Sequence, residues 1–123
     1  MSLDELNRRV TNAIVRAESL PAGSREAWEA FREVSALEES IALRLPPDDL
    51  EGEIARLGAV TAALSAGEPL RALQLAARFL AENLAPEVAE KLRQLVKEAD
   101  AELVRAASDE PTVRPVTFTL RAA

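Results

Sequence analysis

Cysteine, histidine and tyrosine are all absent from this chain of 123 residues. Without cysteine there is no disulfide, no thiolate nucleophile and no cysteine-ligated metal. Without histidine the commonest general acid–base group is missing, as are the Glu-x-x-His pairs of di-iron helical bundles. Neither GxxxxGK(S/T) nor GxGxxG occurs, so the glycine-rich phosphate loops are excluded. Serines are present, but none sits beside a recognisable base. Basic residues are in deficit: the net charge is −6. That argues against sequence-independent nucleic-acid binding, which needs basic patches, and against an anionic membrane surface. No apolar run approaches the roughly 20 residues that span a bilayer. The opening MSLDELNRRV is acidic and amphipathic, unlike a signal peptide, so a cytoplasmic location is expected.

What is present is an ordinary globular composition, 48% apolar and 29% charged, at a length suited to one domain with its own core. The apolar residues recur at helical spacing. Residues 1–20 predict a first helix with Ser2 and Glu5 as a capping box and a stripe of Leu3, Leu6, Val10, Ala13, Ile14 and Ala17. Pro21-Ala22-Gly23-Ser24 breaks it and caps a second helix over 25–45, which Pro46-Pro47 ends. Asp48 with Glu51 repeats the cap spacing and starts a third helix, 49–65. Its large residues Leu50, Ile54, Leu57, Val60 and Leu64 are expected inside, while its glycines and alanines keep the remaining surface small. Gly67 then reads as a C-cap and Pro69 as a first helical position.

Residues 69–84, PLRALQLAARFLAENL, are apolar most of the way round and carry one polar strip, Arg71, Gln74, Arg78 and Glu82. Such a helix belongs among neighbours, and it is expected to be the central one. Pro86 opens a fifth helix, 86–107, with an outer face of alternating charge. The expected fold is therefore all-α: a five-helix bundle of antiparallel neighbours, joined by short connections. A helical domain over 1–107 is followed by an extended C-terminal arm over 108–123. Within the arm, Val116, Phe118 and Leu120 alternate with threonines, a strand pattern over 113–121. A lone strand cannot satisfy its own backbone. It must pair with another chain, pack on its own bundle or stay loose.

Residues 54–84 resemble, locally, one tetratricopeptide-type helical hairpin. The features are Leu57-Gly58 in the first helix, Gly67 at the turn, Ala72 and Ala76 in the second, and Pro86 beyond. Thr61 stands where that family has an aromatic, Gly67 comes about two residues late, and no repeat of about 34 residues surrounds the segment. The resemblance implies local hairpin geometry of a kind that, when stacked, makes peptide-binding grooves.

The candidate interaction residues are Trp28 and Phe31, one turn apart on the second helix; Arg71 and Arg78 on the fourth; and Val116, Phe118 and Leu120 in the arm. Trp28 and Phe31 suit either a partner or the core. The arginines suit either an acidic ligand or a neighbouring glutamate. Acidic pairs at Glu38-Glu39 and Asp48-Asp49 invite a hard cation, but helix-start acids explain the second group. No cofactor or metal is implied. The function expected is a small non-catalytic helical interaction or scaffold module, self-associating as a homodimer and open to another protein, with no nucleic acid or membrane partner. The alternatives are a ligand-binding bundle or carboxylate-dependent enzyme with Arg71 and Arg78 at a cleft, and an acidic, antitoxin-like inhibitor steered onto a basic surface.

Overall fold

The computed structural model describes residues 1–109 and is all-helical: α1 (Leu3–Glu18), α2 (Arg25–Ala42), α3 (Leu50–Ser65), α4 (Pro69–Leu80) and α5 (Pro86–Asp109). The punctuation works as its chemistry requires. Ser2 and Glu5 form the reciprocal capping box of α1, and the Ser24 hydroxyl accepts from the Ala27 amide at the start of α2. The cap of α3 is Asp49 and not Asp48: its side chain accepts from the Gly52 amide. After α3, Gly67 takes the left-handed conformation (φ 71°). The Glu68 amide then reaches the Ala63 carbonyl and the Gly67 amide the Leu64 carbonyl, which closes a Schellman turn. Pro69 and Pro86 open α4 and α5. The helix expected over 69–84 stops at Leu80; a proline at 86 forbids one continuous helix through the connection.

Successive helices pack against each other, α1 on α2, α2 on α3, α3 on α4 and α4 on α5, and α5 also touches α3. The helical bundle expected is thus what is observed. Within it the most connected helix is α3, which meets α2, α4 and α5, whereas α4 meets α3 and α5 and leaves Leu70, Gln74 and Ala77 exposed. The expected extended arm over 108–123 with its strand at 113–121 lies outside the described residues, apart from 108 and 109, which belong to α5. No helix among the described residues is long and apolar enough to cross a membrane.

One helix buries a different face from that expected. Of the large residues of α3, Val60 is buried, but Leu50 is 70% and Ile54 56% exposed. The buried positions are Gly52, Ala55, Ala59, Ala62 and Ala63. Small side chains let helices approach closely and make many contacts per unit area. So the alanine face of α3 faces its neighbours, Leu57 and Leu64 are half-buried against the core, and Leu50 and Ile54 are left outside.

Arg56 is the exception inside this small-residue face, with only 2% of its surface exposed. Its Nε and Nη2 donate to the two oxygens of Glu82 at 2.7 and 3.0 Å. Nη1 donates to the Gly52 carbonyl at 3.0 Å and Nη2 to the Leu45 carbonyl at 3.1 Å. The guanidinium lies 5.5 Å from the centroid of the buried Phe79 ring. Breaking a buried pair by removing one partner is costly, whereas removing both is mild. Arg56→Met should therefore lower the unfolding free energy by about 3 kcal/mol, read by guanidinium denaturation. Adding Glu82→Leu to it should recover part of the loss; an additive second loss would contradict the assignment.

Candidate functional site

The face that α3 turns outward carries no charge. Leu50, Ile54, Leu57, Gly58, Thr61 and Ser65 follow one another at helical spacing, and all are exposed or half-buried. The two charged residues of α3 besides Arg56, Glu51 and Glu53, flank this strip. Hollows lie on both sides. Towards α5, Leu57 and Thr61 face Lys91, Gln94 and Leu95 across a space of about 320 Å³. Towards α1 and α2, Gly58, Thr61 and Ser65 share a space of about 170 Å³ with Ile14, Phe31 and Glu38. Thr61 borders both. The result is a shallow groove whose floor is α3 and whose walls are α1 and α2 on one side and α5 on the other.

Glu38 is the polar group that marks this groove. It is half-buried at the α2 wall, and no donor among the described residues hydrogen-bonds its carboxylate. Burial pushes its carboxyl up to about 7. Gly58 makes the room it occupies, since a Cβ there would lie 2.8 Å from the Glu38 Cδ. Glu18 of α1 shares the hollow. With the Thr61 and Ser65 hydroxyls near and the Phe31 ring in the lining, the hollow offers two carboxylates and an aromatic edge in a mostly apolar setting. That chemistry suits a cationic side chain with an apolar stem.

The other sequence candidates lie elsewhere. Arg71 and Arg78 both donate to Glu39, at 2.8 and 2.6 Å. Burial alone would raise the Glu39 carboxyl, but the bonds from Arg78 and Arg71 hold it below the usual range. Arg71 also donates to the Ser35 hydroxyl, which itself donates to the Ala59 carbonyl. These long side chains bridge α2 and α4, and their charge is taken up by an internal glutamate. Trp28 is half-exposed and lies on Gly67, where a Cβ would meet its ring at 3.1 Å. So Trp28 covers the α3–α4 turn, Phe31 lines the groove, and the structure does not bring the two arginines to either. Val116, Phe118 and Leu120 lie outside the described residues. The pattern in the sequence that marks the groove is the uncharged spacing from Leu50 to Ser65 on α3, together with a glutamate on the apolar stripe of α2.

Comparison of the chain with protein-family models, curated proteins and solved structures finds no match.

The Glu38 environment sets a pH dependence. The fold disfavours its ionised form, so the folded state holds the proton more tightly than the unfolded one. Stability should fall as pH rises from 4.5 to about 7 and stay lower above that. The depressed carboxyls of Glu5 and Glu39 act in the opposite sense and below 4.5, outside this window. Glu38→Gln should flatten the fall and stabilise the protein at pH 8 by on the order of 1 kcal/mol after discounting for partial exposure. Denaturation midpoints of both proteins between pH 5 and 8 check this.

Proposed function

We propose that the protein is a small non-catalytic interaction module whose α3 groove takes an extended segment of apolar and basic side chains. The observation that carries this is the uncharged α3 strip, with Leu50 and Ile54 exposed, bordered by the Glu38 carboxylate, which no donor among the described residues hydrogen-bonds. Contiguous exposed apolar surface with a polar rim is the usual mark of a protein-binding face. A guanidinium or ammonium group placed beside Glu38 would restore the ionised carboxylate that burial disfavours. Selection from a random peptide library should yield apolar sequences with a basic residue. Thr61→Arg, at an exposed groove position, should weaken their binding at least tenfold by roughly the 1.4 kcal/mol that this ratio represents. Unchanged binding would contradict the reading.

Self-association belongs to the same proposal and is favoured by a separate observation. α5 has twice the length of α4, 24 residues against 12, and residues 100–108 are exposed along it. Its apolar stripe nevertheless continues through Leu103 and Val104, both exposed. Leu103 shares a hollow of about 410 Å³ with Leu70 and Gln74 of α4. An identical overhang on a second copy is a self-complementary way to cover this surface. Light scattering should give a dimer mass for the full chain and a monomer mass for Leu103→Glu; a monomer in both would remove self-association.

A further inference from the structure

The groove has two sides of opposite charge. The hollow towards α1 and α2 is lined by the acids Glu18 and Glu38. The hollow towards α5 is lined by Lys91 and Gln94. Both charges are available to a ligand. Among the described residues, no carboxylate lies within ion-pair distance of Lys91, and no cation within that distance of Glu18 or Glu38. Glu90, the acid beside Lys91 in sequence, accepts instead from Arg93 and Gln94 of its own helix, at 3.4 and 3.2 Å.

The two hollows also lie at one level of the bundle. Thr61 borders both, and the other α3 residues that line them, Leu57 on the α5 side and Gly58, Ala62 and Ser65 on the α2 side, fall within about one helical turn of it. Thr61 therefore stands on a low ridge between an acidic hollow and a basic one. An extended segment sends successive side chains to opposite sides, at roughly 3.3 Å per residue. Laid along α3 astride Thr61, it puts one side chain towards α2 and the next towards α5.

We propose that the groove takes an extended segment of a partner protein with a basic and an acidic residue at adjacent positions, the basic side chain entering the Glu18–Glu38 hollow and the acidic one meeting Lys91 and Gln94. This rests on the reading of the groove given above and adds the second half of its specificity. The apolar residues of the segment lie along the strip that continues through Leu57, Ile54 and Leu50. The Lys91 wall also selects against a competitor. A segment that is basic on both sides suits the net charge of −6, yet it sets a second cation against Lys91. The pattern of charge, and not its sum, then decides which segments bind.

The test uses peptides selected from the library, remade with the two adjacent positions set to arginine and glutamate, or to arginine and lysine, in either order. Affinities are measured by calorimetry at pH 8, above the value of about 7 to which the Glu38 carboxyl is raised, so that it is ionised in the free protein. The better glutamate-bearing order should bind the parent protein roughly fivefold tighter than the lysine-bearing peptides. Lys91→Glu should reverse that preference; Lys91 is exposed, so the fold is not at stake. Glu38→Gln should weaken both kinds of peptide and leave the preference as it was. No preference in the parent, or the same preference in Lys91→Glu, would overturn the proposal, while binding that Thr61→Arg still weakens would keep the groove itself. If no library peptide binds, the groove reading falls and this proposal with it. A full chain that is a dimer, becomes a monomer on Lys91→Glu and binds no peptide would make a second copy the occupant, which also overturns it.

Discussion

A buried arginine needs its charge and its donors answered, and the rest of this fold is arranged so that Arg56 is answered. Glu82 supplies the opposite charge from the connection after α4, Leu45 a carbonyl from the end of α2, and Gly52 a carbonyl from one turn earlier in α3. One guanidinium thereby fastens three chain segments at the same end of the bundle. Glycine at 52 is required there, because a Cβ would run into the Pro46 carbonyl and lie 3.1 Å from Arg56 Nη1. The early stop of α4 follows too: Glu82 reaches Arg56 from a non-helical connection. At the far end of the bundle a second tie holds the α3–α4 turn. Trp28 covers Gly67, and Arg32 donates to Glu68 at 2.9 Å. These two ties leave the middle of α3 to be packed by alanines.

That choice has a consequence for the surface. A helix with alanines on its buried side approaches its neighbours closely and needs no large residue there. Leu50 and Ile54 are then free for the outer side, where with the half-buried Leu57 they form the floor of the groove. Polar bonds do the remaining work between α2 and α4. Arg71, Arg78, Glu39 and Ser35 connect them across α3, and Ser35 is itself tied to the backbone of α3 through Ala59. The Glu39 carboxylate is thereby spoken for, while its sequence neighbour Glu38, one position round the helix, has no donor among the described residues. Two adjacent glutamates so acquire opposite shifts, one held down by arginines and one pushed up by burial.

Much of this architecture is legible in the sequence because proline, glycine and capping residues act locally. Ser2 with Glu5, Ser24, Gly67, Pro69 and Pro86 each mark a boundary where the structure has one. The face of α3 is not legible in the same way. Its apolar residues surround the helix, so periodicity does not choose between the leucines and the alanines; the close approach of α2 does. Arg56 reads as a surface residue until Glu82, 26 positions away, is brought to it. Arg71 and Arg78 look like a ligand site only while their partner on α2 is unknown. Glu38 shows in the sequence as a charge on an apolar stripe, a signal that a groove or a buried pair must resolve, and here the groove does.

The central claim is that Arg56 ties the α2–α3 loop and the α4–α5 connection to α3 and so holds the groove floor in place. Hydrogen exchange of Arg56→Met against the parent protein, in native conditions, tests it most directly. The account predicts that protection falls first in amides of residues 43–53 and 79–86, while the α1–α2 contact region around Val10 and Ala30 keeps its protection. Loss spread evenly over all five helices, or confined to α1, would contradict it.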